Sequence, residues 1–178
     1  IRSVDARTGG LRPGAGHEWV FSGASRGSQL ALLCLFRVAR ERRNYAVLVD
    51  GDRTFDPQTA AERDLEHLLW VQCSGVKQAL QVTDVLLRDE NFPLVAVDLR
   101  GSRARDIKRL PAHPWYRLQR LVEQAEGMLV VLTPEPLIPG VRRRVAFQGA
   151  IGIEGCDRLQ GELLEELEVE VLKGDSGF

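Results

Sequence analysis

Along the chain, short and mostly apolar blocks alternate with longer stretches in which apolar residues recur at helical spacing. HEWVFS, YAVLVD, LLWVQC, PLVAVDLR and MLVVLT read as five strands, since short apolar runs bounded by turn residues suit strands buried on both sides. Arg26 to Arg43 predicts a helix whose inward face is Leu30, Leu33, Cys34, Arg37 and Val38, at i, i+3, i+4, i+7 and i+8. DPQTAAER predicts a short helix with Asp56 at the N-cap and Pro57 in the first position. Ser74 is the expected cap of a helix over Val76 to Asp89, with Ala79, Val82, Leu86 and Leu87 turned inward. WYRLQRLVEQAEG predicts a last core helix, closed by Gly127.

After Pro134 and Pro136 the pattern changes. RRRVAF and LEVEVLK alternate, with Leu167, Val169 and Val171 inward and Glu166, Glu168 and Glu170 outward, as in a sheet wet on one side. Cys156 to Leu164 between them is a candidate short helix. The whole predicts an α/β fold, a mostly parallel central sheet with helices on both faces and an antiparallel C-terminal extension. One domain over residues 1–178 is expected, with an irregular Gly- and Pro-rich lead-in at 1–16, a parallel core at 17–134 and C-terminal strands at 135–178.

Composition adds limits. With 178 residues, 44% hydrophobic and 28% charged, the chain is long enough for one sizeable core and is not of disordered composition. No apolar run nears the roughly 20 residues of a membrane-spanning helix, so a cytoplasmic protein without membrane contact is expected. The three cysteines, Cys34, Cys73 and Cys156, are widely spaced and expected as core thiols, and the three histidines share no ligand spacing. The net charge of −1 hides a strong asymmetry. Arg100 to Arg120 holds seven basic residues against Asp106, and Glu154 to Leu172 holds seven acids against Arg158. Two solvated faces or a partner-binding surface both account for that, and the two readings stay open.

The stretch FSGASRGSQL, from Phe21 to Leu30, has the outline of a phosphate-binding loop between a strand and a helix. Aligned on Gly27 with G-x-x-x-x-G-K-[ST], it has Ser22 for the first glycine, Ser28 for the lysine and Gln29 for the Ser/Thr. Arg26 lies two residues before the lysine position, and the amides from Ala24 to Ser28 form an anion-attracting helix start.

In order along the chain stand the lead-in GGLRPGAG, this loop, VDGDRTFDPQTA, LLWVQCSGVKQALQVTDVLLRD and LVAVDLRG. In that order they resemble the recombinase core of the RecA superfamily. Within it, LLWV, ALQVTDVLLR and TPEPLIPGVRRRVAF are most similar to the ImuA family, RecA-like accessory proteins of bacterial mutagenic translesion synthesis. The resemblance implies a nucleotide site, with Asp52 in the place of the water-activating glutamate and Asp98 in the place that contacts magnesium. Asp50 is an alternative carboxylate at the same strand end.

The departures imply that the site is vestigial. Ser28 lacks the positive charge that reaches the terminal phosphates, and Gln29 offers magnesium only a neutral amide. Asp52 is a methylene shorter than glutamate, which displaces a general base by about 1.5 Å. Ser22, Gly23, Gly27, Ser28, Gln29, Asp52 and Asp98 are therefore expected as a degenerate nucleotide site, with no catalytic residue, metal or cofactor. The resemblance places the loops RGSRARDIKRLPAHPW and PEPLIPGVRRR toward DNA. Arg100, Arg103, Arg105, Lys108, Arg109, Arg142, Arg143 and Arg144 are the expected contacts to nucleic acid or a protein partner, since guanidinium groups suit phosphates. The partners implied are a RecA-type recombinase and an error-prone Y-family-like polymerase, with single-stranded DNA as a further candidate. A working ATP-dependent recombinase and a RecA-fold division inhibitor are the alternatives.

Overall fold

The structure is a computed structural model that describes residues 10–23, 27–89, 91–148 and 168–174. Among the described residues, seven strands make one sheet: β1 (Ala15–Val20), β2 (Ala46–Asp50), β3 (Leu68–Gln72), β4 (Leu94–Asp98), β5 (Met128–Thr133), β6 (Arg143–Gln148) and β7 (Glu168–Lys173). They lie in the order β3-β2-β4-β5-β1-β6-β7. All neighbours are parallel except β6 and β7, which form an antiparallel C-terminal pair. RRRVAF thus has two roles, extending the parallel sheet beside β1 and carrying the antiparallel edge strand.

The helices are α1 (Ser28–Glu41), α2 (Glu62–Leu65), α3 (Val76–Arg88), α4 (Ala104–Lys108) and α5 (Ala112–Gln124). On one face of the sheet, Leu32, Leu35 and Phe36 of α1 pack with Leu48, Ala96, Val130 and Leu132. On the other, α3 and α5 bring Ala79, Leu80, Leu118 and Val122 against Val47, Val95, Val97 and Val131. Strand residues of alternating parity feed the two cores, so β2 and β4 are buried along their whole length. The helix after β1 lies on one face and those after β3 and β4 on the other. The loops at the carboxyl ends of the strands therefore lead to both faces of the sheet.

Several local expectations change. The buried residues of α1 are Ala31, Leu32, Leu33, Leu35, Phe36 and Ala39. Of the predicted stripe only Leu33 is fully buried, because a run as apolar as LALLCLF fits more than one helical phase. Arg37 is half-buried through its ion pair with Asp64, at 3.1 Å. In α3 the buried face is Val76, Ala79, Leu80, Thr83 and Leu87, with Val82 and Leu86 on its flank. Thr83 escapes notice as a polar residue, yet it is buried and its hydroxyl donates to the Ala79 carbonyl at 2.7 Å. The N-cap of α3 is Gly75 rather than Ser74; the Ser74 amide instead donates to Gln78 Oε1 at 2.6 Å. Asp56 caps as expected, accepting from the Gln58 amide at 2.9 Å, but it opens a 3₁₀ turn over Pro57–Thr59 separate from α2. The left-handed residue that ends α5 is Glu126 (φ 50°), not Gly127.

β3, as apolar as the inner strands, is an edge strand and only partly covered. In β7, Val169 is buried and Glu168 and Glu170 are exposed, while Val171 on the sheet edge is 39% exposed. The expected helix at Cys156 to Leu164, together with Glu166 and Leu167, lies outside the described residues.

Candidate functional site

The loop after β1 and the acidic ends of β2 and β4 meet at the carboxyl edge of the sheet. Asp50 and Asp98 are register partners on adjacent strands, and both are fully buried. Their carboxylates are engaged by the chain itself. Asp50 accepts from the Thr54 amide at 3.0 Å, the Phe55 amide at 3.2 Å and Trp70 Nε1 at 3.3 Å, which shapes the turn after β2. Asp98 accepts from the Thr54 hydroxyl at 2.9 Å.

The remaining partner of Asp98 is Arg100, two residues further on. Its amide and Nε donate to Asp98 Oδ1 at 3.1 and 2.8 Å, and one terminal nitrogen donates to Oδ2. The other terminal nitrogen donates to Ser28 Oγ, and the guanidinium carbon lies 6.0 Å from the Phe21 ring centroid. Arg100 therefore turns inward, 16% exposed, and bridges the acid of β4 to the first residue of α1. A bidentate guanidinium–carboxylate pair of this kind is strong and directional.

The rest of the loop is tied to its surroundings. Ser22 Oγ donates to the Pro134 carbonyl at 3.1 Å. Gly23 (φ 100°) and Gly27 (φ 74°) hold left-handed backbone that a side chain would strain, and Gly27 is the N-cap of α1. Gln29 Nε2 donates to the Asp56 carbonyl at 2.8 Å and to Thr59 Oγ1 at 3.0 Å, joining α1 to the 3₁₀ turn. Arg26 and the amides of Ala24 and Ser25 lie outside the described residues. Asp52 is exposed and accepts from the Ser102 hydroxyl rather than joining Asp98. The loops carrying Asp52 and Ser102 cross so closely that a Cβ on Gly101 would stand 2.8 Å from both Asp52 Cβ and Thr54 Cγ2. Beside this crossing is a cleft of about 430 Å³ reached by Asp52, Ser74, Lys77 and Arg103.

These contacts do not fit a magnesium nucleotide. Both oxygens of Asp98 face a guanidinium, Ser28 accepts from that same group, and the Gln29 amide is held away by Asp56 and Thr59. Among the described residues no three His, Cys, Asp or Glu side chains gather into a metal site, and no helix is long and apolar enough to cross a membrane.

The basic residues divide into two groups. Arg103, Arg105, Lys108, Arg109 and Arg142 are exposed. Arg105 and Arg109 lie 3.8 and 4.0 Å from Asp106, and Lys108 pairs with Glu135 at 2.5 Å. Arg143 and Arg144 point into the protein. Arg143, 6% exposed, donates to the Gly10 carbonyl, and Arg144 pairs with Glu18 at 2.5 Å and donates to the Ile138 carbonyl at 2.8 Å.

Glu18 is an organising residue that the sequence pattern did not bring forward. Fully buried in β1, it accepts from Thr133 Oγ1 at 2.9 Å and from the amides of Leu137 and Ile138 at 2.7 and 3.1 Å, fixing the loop after β5. The available signal was a glutamate beside a histidine inside a short strand, with arginines opening another. No protein-family model matches the chain, and no curated protein matches it in sequence.

Proposed function

We propose that the chain is a non-catalytic RecA-like adaptor in mutagenic translesion DNA synthesis, linking a RecA-type recombinase to an error-prone Y-family-like polymerase. Support comes from the order of motifs and from the meeting of the loop after β1 with the acids of β2 and β4 on one edge of a mostly parallel sheet. The observation that carries the non-catalytic part is Arg100. Its guanidinium is bonded to Asp98 and to Ser28, so the chain's own cation stands between the acid and the residue that replaces the phosphate-binding lysine. Among the described residues, an acid already neutralised by Arg100 and a serine in the lysine position supply neither the metal contact nor the cation that in-line phosphoryl transfer uses. What is left for function is surface, and the exposed arginines Arg103, Arg105 and Arg109 are the groups proposed to meet single-stranded DNA or a protein.

Steady-state phosphate release, with and without single-stranded DNA, tests the reading. The expected result is no turnover above a protein-free control. Turnover that Asp98→Ala abolishes would overturn it. The adaptor part is tested by co-sedimentation with recombinase filaments assembled on single-stranded DNA, where binding is expected and its absence removes the recombinase from the scheme.

A further inference from the structure

The adjacent strands β2 and β4 send their connections to opposite faces of the sheet. The segment after β2 packs Phe55, Ala60 and Leu65 with α1, and the segment after β4 packs Ile107 with α3 and α5. In an open α/β sheet, such a divergence at the carboxyl ends of neighbouring strands is where small ligands are taken. On the α3 side of it lies the cleft of about 430 Å³, a volume suited to a small molecule. Phe21 and α1 lie on the other side, so this cleft is separate from the loop after β1.

Three segments line the cleft. Asp52 comes from the loop after β2, Ser74 and Lys77 from the start of α3, and Ser102, Arg103 and Asp106 from the loop after β4 and the helix α4. Their charges are unequally engaged. Asp106 has Arg105 and Arg109 beside it, at 3.8 and 4.0 Å. Lys77 and Arg103 are exposed and have no ion-pair or hydrogen-bond partner among the described residues. Ser102, 8% exposed, donates its hydroxyl to Asp52 Oδ2 and so orients the carboxylate, while Oδ1 accepts from no described group. Between Ser74 and Lys77 the wall is bare backbone: Gly75 has φ 101°, which favours glycine, and a Cβ there would meet nothing within 4 Å.

We propose that this cleft binds a small phosphate ester that carries a hydroxyl close to the phosphate, as a sugar phosphate does. The proposal goes beyond the adaptor reading and does not depend on it. Lys77 and Arg103 supply two cations for a phosphate dianion, the guanidinium donating in pairs and the ammonium acting as a point charge. The free oxygen of Asp52 is an acceptor only, which suits a ligand hydroxyl, and Ser102 holds the carboxylate without using that oxygen. A carboxylate repels phosphate, so the anion belongs beside Lys77 and Arg103 and the hydroxyl beside Asp52. A single nucleic-acid strand fits less well, because its bases stack on aromatic side chains and none of the described residues lining the cleft is aromatic.

Ribose 5-phosphate is the probe and inorganic phosphate its control, each titrated into the intact chain to about 10 mM and followed through backbone amide resonances. Ribose 5-phosphate is expected to shift Gly75, Lys77 and Ser102 and to bind about tenfold tighter than inorganic phosphate. Lys77→Ala/Arg103→Ala, at two exposed positions, should weaken both anions by about tenfold with the melting temperature kept. Asp52→Asn should weaken ribose 5-phosphate by about fivefold and leave inorganic phosphate no weaker, a split that a merely structural role for Asp52 does not produce.

Absence of shifts in the unaltered protein would overturn the proposal, and so would full affinity in the double variant. Equal losses of both anions in Asp52→Asn would overturn it too, since the carboxylate would then have no part in choosing the ligand. An oligo(dT) strand that displaces ribose 5-phosphate from the same residues would replace it with a nucleic-acid contact and leave the adaptor reading standing. Failed co-sedimentation with recombinase filaments would sink the adaptor reading without altering what the titration measures.

Discussion

The carboxyl edge of the sheet and the helical face over α3, α4 and α5 hold similar side chains in opposite states. At the edge, Asp50, Asp98 and Glu18 are fully buried, and each meets amides, hydroxyls or a guanidinium of the same chain. Arg100 and Arg144 are drawn in with them, 16% and 22% exposed. On the helical face, Arg105, Lys108, Arg109 and Arg117 are each more than half exposed, and their acidic neighbours lie at the surface or close to it. A buried charge must be paired or it costs several kcal/mol, whereas an exposed pair is worth about 0–1 kcal/mol. Arginines at the edge are therefore structural, and the ion pairs of those on the helical face contribute little to the fold. A run of basic letters in the sequence does not distinguish the two.

The sharpest way to break that contrast is Glu18. Glu18→Ala strands the Arg144 guanidinium and leaves the Leu137 and Ile138 amides without their acceptor. Breaking a buried pair from one side costs about 3–5 kcal/mol, so urea unfolding should show a loss of that order, with Glu18→Gln losing less because its amide oxygen still accepts. On the helical face, Arg105→Gln and Arg109→Gln are expected within about 0.5 kcal/mol of the unaltered protein. Equal effects at Glu18 and at Arg105 would erase the distinction.

Arg100 is the next test, because it bears on both stability and the closed site. Arg100→Ala removes the bidentate partner of Asp98 but leaves the Thr54 hydroxyl in place. A destabilisation of about 2–3 kcal/mol is expected, short of the Glu18 effect. Asp98→Asn should relieve part of it, since a neutral amide needs no cation. In a double-mutant cycle the two changes should couple by about 1–3 kcal/mol. Additive losses would show that the guanidinium and the carboxylate act separately, and the account of a self-closed site would fall with them.

Much of the sheet was legible because its strands are short apolar blocks bounded by turn residues. Leu94–Asp98 and Met128–Thr133 lie within PLVAVDLR and MLVVLT almost to the residue. What sequence could not fix was phase and pairing. The face of α1 was misread because seven consecutive apolar residues leave the sheet-facing side to be chosen by tertiary packing. β3 looked like an inner strand because nothing in LLWVQ marks an edge. In the candidate site, the serine at position 28 after Gly27 was plain, and so was the acid at Asp98. That Arg100 folds back on both was not, since a residue at i+2 after a strand can point either way until the loop geometry is known. Glu18 and Arg144 are separated by 126 residues, and no local pattern joins them.

The smallest effect lies at the same edge and is read through pH. Cys73, directly after β3, is 2% exposed, and its amide donates to the Asp50 carbonyl at 2.8 Å. Burial raises its thiol above the usual range, and the negative charge of Asp50 raises it further. In the unfolded chain a thiol ionises from about pH 8.5, while in the folded protein Cys73 stays protonated to higher pH. The neutral thiol thus contributes stability in full below the unfolded value, and that contribution is lost as pH rises from there through the folded value. Cys73→Ala removes the dependence. Thermal unfolding measured from pH 7 to about pH 10 should show a steeper alkaline decline for the unaltered protein than for the variant, whatever their difference at pH 7. Parallel curves would place the Cys73 thiol in contact with solvent and weaken the picture of the strand ends as a region whose ionisable groups are answered from within the chain.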